Sequence, residues 1–159
     1  MKLAHAFSRI ALAAFVLSVA SFSVPAQESK LTAKQVPAAV IKAFKAAYPT
    51  ATIKGYAKEK ENGKVFYEIE STDGAIGRDI LYNPDGTVAE IEETVTPSDL
   101  PAGALDALKA KYPGAVVVKA ERTTQKNAQG DKIGYEVIAK QGKKRVTMEF
   151  DGDGKPKGK

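Results

Sequence analysis

The sequence predicts an α+β protein built as a tandem repeat, each unit a short helix followed by a four-stranded antiparallel sheet. Three observations predict it. The chain matches itself at an offset of 64 residues, each half opens with apolar residues at helical spacing, and each continues into alternating segments punctuated by Gly-containing turns. Similarity at a fixed period marks a duplicated structural unit. Low complexity could mimic the Ala-rich part, but it would not reproduce Tyr-Pro, Tyr-Glu and Asp-Gly in the same order.

The alignment runs from Val36-Pro37-Ala38 through Tyr48-Pro49 over Leu100-Pro101-Ala102 through Tyr112-Pro113. A four-residue insertion around Asn127 to Gly130 then moves the offset to 68. Beyond it Tyr67-Glu68-Ile69 meets Tyr135-Glu136-Val137, and Asn83-Pro84-Asp85-Gly86 meets Asp151-Gly152-Asp153-Gly154.

The first helix carries Val40, Phe44 and Tyr48 at i, i+4 and i+8, with Ile41 and Ala47 widening the stripe. In the second, Leu105, Leu108 and Tyr112 fall on the corresponding face. Asp99 or Ser98 can cap the second helix, and Pro101 suits a first turn whose N–H groups have no acceptor. Thr32 and Gln35 read as a capping box ahead of the first. Pro49 and Pro113 stop both helices, because the residue before a proline avoids the helical region. The helix tyrosines are expected to pack in the core rather than to contact a ligand.

Strands follow. Ala51 to Lys60 is compatible with one, and Asn62-Gly63 is a hairpin signal. Val65, Tyr67 and Ile69 alternate with Phe66, Glu68 and Glu70, the period of a half-buried strand. Asp73-Gly74 turns the chain into Ile76 to Tyr82. Asn83-Pro84-Asp85-Gly86 turns it again into Val88 to Glu92. Residues 27–93 form the first repeat, 94–98 a linker containing Pro97, and 99–159 the second. Its last segment, Lys155-Pro156-Lys157-Gly158-Lys159, is a poor strand, so the fourth strand there is expected to be frayed or missing.

Residues 1–26 read as a cleavable signal peptide. Lys2 and Arg9 make a basic start, Ile10 to Ala20 an apolar stretch, and Val24 and Ala26 a small-residue cleavage site before Gln27. The stretch is shorter than the roughly 20 residues of a membrane span. The expectation is a periplasmic or secreted protein without membrane insertion once the signal is removed. Cleavage takes His5, the only histidine, and no Cys exists, so disulfides are excluded. The 24 basic residues less Lys2 and Arg9 leave 22 against 19 acidic, a net +3. That surplus is too mild for a nucleic-acid footprint, and no nucleic-acid partner is expected. Two units of about 60 residues bury little surface alone, so they should share an interface.

At this point the ordered motifs resemble a known family. The helix opening Leu/Val-Pro-Ala and closing Tyr-Pro, the Tyr-Glu strand and the Asp-Gly turn are similar to the PepSY-like family of exported bacterial proteins, also described as β-lactamase-inhibitor-like. The resemblance spans roughly 34 to 155. It implies a tandem fold like that of the β-lactamase inhibitor protein, in which two helix-plus-four-strand units align their sheets into one curved surface whose open face grips a protein partner. The absence of cysteines departs from the inhibitor protein, whose repeats carry disulfides, and weakens any claim of a shared target.

Catalysis finds little material. Without His or Cys, a hydrolase would need a Ser-Lys pair, a carboxylate pair or a metal. Glu68, Glu70, Asp79, Glu90, Glu92 and Glu93 could gather on one face, but acidic residues on outward strand positions are commonly solvated. Asp151-Gly152-Asp153-Gly154 suggests a calcium loop, yet the chain ends before a closing Glu and the aligned Asn83-Pro84-Asp85-Gly86 is explained as a turn. The reading is a protein that is not an enzyme and has no cofactor or metal site.

The surface that can bind is the sheet face opposite the helices. With Val65, Tyr67, Ile69, Ile80 and Tyr82 inward, Phe66, Glu68, Glu70, Asp79, Leu81, Val88 and Glu90 point out. Tyr56 is expected there between Lys54 and Lys58, and Val118, Arg122, Ile138, Arg145 and Glu149 in the second repeat. The predicted partner-binding set is Lys54, Tyr56, Lys58, Phe66, Glu68, Leu81, Arg122, Ile138 and Arg145, with Tyr56, Phe66 and Arg145 as anchors. Aromatic and Arg side chains supply the anchors of protein interfaces. The plain alternative is a solvated sheet face, which antiparallel sheets often have. The function expected is that of a monomeric binding protein, an inhibitor of an envelope or secreted enzyme. The alternatives are an envelope sensor of a small ligand or cation, and a structural envelope protein.

Overall fold

The computed structural model describes residues 27–61 and 63–158. The proposed signal peptide and Asn62 of the first hairpin turn lie outside them. Eight strands form one antiparallel sheet: β1 (Gln27–Lys30), β2 (Thr52–Glu61), β3 (Lys64–Asp73), β4 (Ile76–Tyr82), β5 (Val88–Thr94), β6 (Val116–Gln125), β7 (Lys132–Gln141) and β8 (Lys144–Asp151). Their order in the sheet is their order in the chain. Helix α1 (Ala38–Ala47) lies between β1 and β2, and α2 (Ala102–Lys111) between β5 and β6.

The repeats join through β5 and β6, which pair from Glu90↔Gln125 to Thr94↔Glu121. Both helices lie on the same side. Ile91, packed against the α1 core, pairs with Thr124, which shares its strand face with Ala120 of the α2 core. Two cores therefore sit side by side under one sheet. In the first, Val40 and Phe44 pack on Ile69, Ile80 and Tyr82. In the second, Ala104 and Leu108 pack on Val137, Met148 and Phe150. Burying a side chain of this size contributes roughly 1.5–3 kcal/mol, and the sharing of one sheet answers the marginal size of each unit.

The helix tyrosines pack as expected. Tyr48 lies against the first core with its ring 5.5 Å from that of Phe44, and Tyr112 lies against the second. Each helix ends where its tyrosine N–H donates to the carbonyl four residues back, at Phe44 and Leu108. The Asp-Gly turns fix the other ends. Gly86 (φ 87°) sits so close to α1 that a Cβ would lie 2.7 Å from the Ala39 carbonyl oxygen. Gly154 (φ 81°) would meet Pro101 at 2.7 Å. Only glycine takes such a φ without strain while leaving room for another backbone.

Several expectations are corrected. Pro37 and Pro101 are the N-caps of the helices, while the capping-box residues Thr32/Gln35 and Thr96/Asp99 close short 3-10 turns just upstream. These turns let the chain enter each helix at proline. Strand β1 was not anticipated; it adds an edge before the first helix. The last segment of the second repeat, by contrast, is as expected: three strands follow the helix, and the fourth is reduced to a single bridge, Phe150↔Pro156. Proline has no N–H to continue a ladder. At Asp151 the turn is satisfied internally, its Oδ1 accepting from the N–H groups of Asp153 (3.0 Å) and Lys155 (2.9 Å).

Candidate interaction surface

Strand register decides which side chains face away from the helices. In β3 and β4, Phe66, Glu68, Glu70, Asp79 and Leu81 do so as expected, because Ile69↔Ile80 and Tyr67↔Tyr82 face the core. Glu90 and Glu92 continue the face on β5, opposite Leu81 and Asp79. In the second repeat Ile138 pairs with Thr147 and Arg145 with Lys140, all on the open side. Ile138 is nonetheless only 7% exposed, covered by its neighbours on that face. Lys54 is the extra residue where the β2–β3 register shifts between Ile53 and Gly55, and it lines an open-face cleft of about 310 Å³ with Glu68, Glu70 and Glu28. Phe66 and Leu81 line a second hollow of about 290 Å³ with Ala89 and Lys64.

Four residues expected on the open face belong to the other side. Tyr56 pairs with Ile69 and packs against the first core, and Lys58 pairs with Tyr67. Arg122 pairs with Tyr135, which lies against the second core. Val88 pairs with Tyr82 because a register irregularity at the β4–β5 pair adds a residue there, and it too packs against the first core. Of the expected anchors, Phe66 and Arg145 remain on the open face and Tyr56 does not. Glu93, grouped by sequence with the other acids, also points to the helix side.

There Glu93 joins the repeats. Arg78 Nε donates to its Oε1 at 2.7 Å and Arg122 Nη2 to its Oε2 at 2.7 Å. Burial would raise the Glu93 pKa, but the hydrogen bonds from the two guanidiniums outweigh it and hold the carboxyl below its ordinary value. Arg78 is nearly buried, and its Nη1 has no hydrogen-bond partner among the described residues. Its guanidinium carbon lies 4.5 Å from the centre of the Tyr48 ring, whose face attracts the cation. The sequence carried a signal for this: Arg78 falls in step with Ile80 and Tyr82 on an alternating strand.

The open face is charged differently. Glu70↔Asp79↔Glu92 oppose one another directly across β3, β4 and β5, as do Glu121↔Glu136↔Glu149 across β6, β7 and β8, and Glu28↔Glu59 across β1 and β2. Like charges directly opposed on neighbouring strands repel. Carboxylate oxygens of Asp79, Glu92 and Glu121 lie within 4.8 Å of one another. Lys119 answers part of this charge by bonding Glu121 Oε1 at 2.7 Å, although its own burial opposes the ionised form.

The acids respond by holding protons. Burial, helped by Glu59 and Asp79, pushes Glu68 up to about 8. Burial, then Glu121, Glu90, Glu136 and Asp79, pushes Glu92 up to about 7. Asp79 and Glu136 are raised mainly by burial. Perturbed groups of this kind cluster at functional sites.

Solved structures share the architecture. A BLIP-like protein from Bacteroides fragilis is 22% identical, with a TM-score of 0.55 over 77% of this chain and 84% of its own. A DUF2874 family protein from Bacteroides uniformis is 17% identical, with a TM-score of 0.59 over 76% and 86%. A protein from Bacteroides eggerthii described as "putative periplasmic" is 18% identical, with a TM-score of 0.55 over 76% and 85%. At these identities the likeness is one of fold. No helix among the described residues is long and apolar enough to cross a membrane. Among curated proteins nothing matches. A family model described as "Putative beta-lactamase-inhibitor-like, PepSY-like" matches residues 22–90 and again 65–156, so the chain belongs to that family.

Proposed function

We propose that the chain is an exported, non-catalytic binding protein that docks onto a protein partner through the open face of its sheet, and that the partner is an envelope or secreted enzyme which it occludes. The supporting observation is the single eight-stranded sheet covered by both helices on one side only. Such a face is continuous across both repeats, and Phe66, Leu81 and Arg145 on it are residue types suited to anchoring a protein surface. Family membership supports the same reading. The carboxylates with raised pKa values lie beside further carboxylates, and the chain from Gln27 onward offers no His or Cys to work with them.

Photo-crosslinking in the native envelope tests this. A crosslinking amino acid at Phe66 or Arg145 should give a discrete protein adduct, and one at Lys45 on α1 should give none. Adducts formed only from Lys45 would overturn the reading, as would no adduct at any position. An enzyme captured from Phe66 should lose turnover when the purified chain is added at equal molarity.

A further inference from the structure

We propose that the occupant of the open face is a cationic protein segment, presenting lysine or arginine side chains to the acidic rows, and that the chain's own Lys157 holds part of the site until a partner displaces it. This rests on the open face being the docking surface and names the chemistry of what docks there.

The open face carries the charge pattern that such a segment complements. The rows Glu70↔Asp79↔Glu92 and Glu121↔Glu136↔Glu149 each set three carboxylates side by side on neighbouring strands. Adjacent strands are about 4.8 Å apart, so each row repels itself. The fold shows at Glu93 how it pairs an acid when pairing serves its stability, with two arginines on one carboxylate. Among the described residues, the rows on the open side share one internal bond of that kind, from Lys119 to Glu121. Arrays of like charge are costly when empty and are relieved by an opposite charge brought from outside. Lysine and arginine ammonium and guanidinium groups fit such rows, and polyanions are repelled.

A lysine of the chain already reaches this place. The tail after β8 is held at the sheet edge by the Lys157 N–H donating to the Glu149 carbonyl at 2.9 Å. The Lys157 side chain then crosses the open face to Gly134, where a Cβ would lie 2.9 Å from its Nζ. Glycine at 134 leaves that space clear between Thr123 and Asp151, its partners across the sheet. Around it lies a hollow of about 180 Å³ lined by Glu90, Glu92, Glu136, Glu149 and Lys157. The tail thus brings a cation to the rim of the hollow, without an ion pair to its acids among the described residues, where it would compete with a partner's cation for the seat. Burial and mutual repulsion raise the pKa values of Glu92 and Glu136 in the same hollow, as expected of acids awaiting a countercharge.

The test uses the mature chain with a decalysine peptide as probe, a decaglutamate peptide as control and calcium chloride as a rival cation. Decalysine should shift the backbone NMR signals of Glu92, Thr123, Glu136 and Glu149 and should bind more weakly as salt is raised, because screening acts on exposed charges. Glu92→Gln, Glu136→Gln and Glu149→Gln together should weaken it at least tenfold. Lys157→Gln should tighten it severalfold, and Lys109→Gln on α2 should leave it unchanged. Circular dichroism checks that the variants fold. Binding by the triple variant equal to wild type, shifts confined to the helix side, or no gain from Lys157→Gln would overturn the proposal. So would calcium shifting these residues while decalysine does not, which would assign the rows to a metal ion. If crosslinks from Phe66 persist undiminished in excess decalysine, the docking surface stands and its cationic occupant falls. If decalysine binds as expected and no crosslink forms, the reverse holds.

Discussion

Glu92 and Glu93 are neighbours in one strand and opposites in environment. Glu93 faces the helices, receives two guanidiniums and is held below its ordinary pKa. Glu92 faces away, among Glu121, Glu90, Glu136 and Asp79, and is pushed up to about 7. One residue's rotation about the strand separates a carboxylate that fastens two repeats together from one that strains the surface it stands on. At the seam between the repeats an acid is paired with two arginines, whereas on the open face acids stand mostly against acids, with Lys119 on Glu121 as a partial answer.

The sharpest way to break this contrast is Glu93→Leu. It leaves Arg78 nearly buried without a carboxylate, and removing one partner of such a pair should cost on the order of 3 kcal/mol. Urea unfolding measures it; a loss below about 1 kcal/mol would place the pair with ordinary surface bridges.

The next effect lies in pH. Glu68 and Glu92 have folded pKa values of about 8 and about 7 against ordinary values of 4.5. An acid whose folded value is raised keeps its proton longer in the folded chain. Stability from these two groups is therefore greatest below the unfolded value and falls as pH rises through the folded ones. The melting temperature should drop by a few degrees between pH 5 and pH 8, and Glu68→Gln with Glu92→Gln should flatten that slope. Glu93 acts in the opposite sense: its stabilisation is full above the unfolded value and is lost as pH falls through the lowered one. A melting temperature that climbs from pH 5 to pH 8 would contradict the strained face.

Smaller is Arg122→Ala. Arg122 bonds the same Glu93 as Arg78 but is 46% exposed, so its loss should cost no more than about 1 kcal/mol. Smallest is Lys119→Gln, which removes the one base lowering Asp79. The Asp79 midpoint in an NMR titration should move further up; a fall would mean that Lys119 does not act on the acidic row.

The same strands show what a sequence discloses. The duplicated helix, its Tyr-Pro ending and the Asp-Gly turns were legible because each rests on local rules, and Gly86 and Gly154 take the positive φ those rules require. The faces of β3 and β4 were legible from alternation. Tyr56 and Lys58 were misplaced although the information was present. The Asn62-Gly63 signal, read as a two-residue hairpin, predicts Glu61 opposite Lys64, and counting back from that pair, which the register shows, puts Tyr56 across from Ile69. Arg122 had no such guide, since the β6–β7 connection carries the insertion and its register is set by tertiary packing, with Lys126 and Asp131 bonded across it. Val88 was turned by a register irregularity that alternation cannot anticipate. Glu93 was legible only as an acid in a run of acids; its role depends on Arg78 and Arg122, which are brought to it from two different strands.

Sheet order that copies chain order has a kinetic corollary. Every strand pairs with the one made just before it, and no strand waits for a distant segment before it can add to the edge. Contacts between near neighbours in sequence carry little loop-closure penalty and favour quick folding. A polypeptide emerging N-terminus first, from a ribosome or through a membrane pore, can therefore zip itself up in the direction of its emergence, the α1 half laying down the edge on which the α2 half grows.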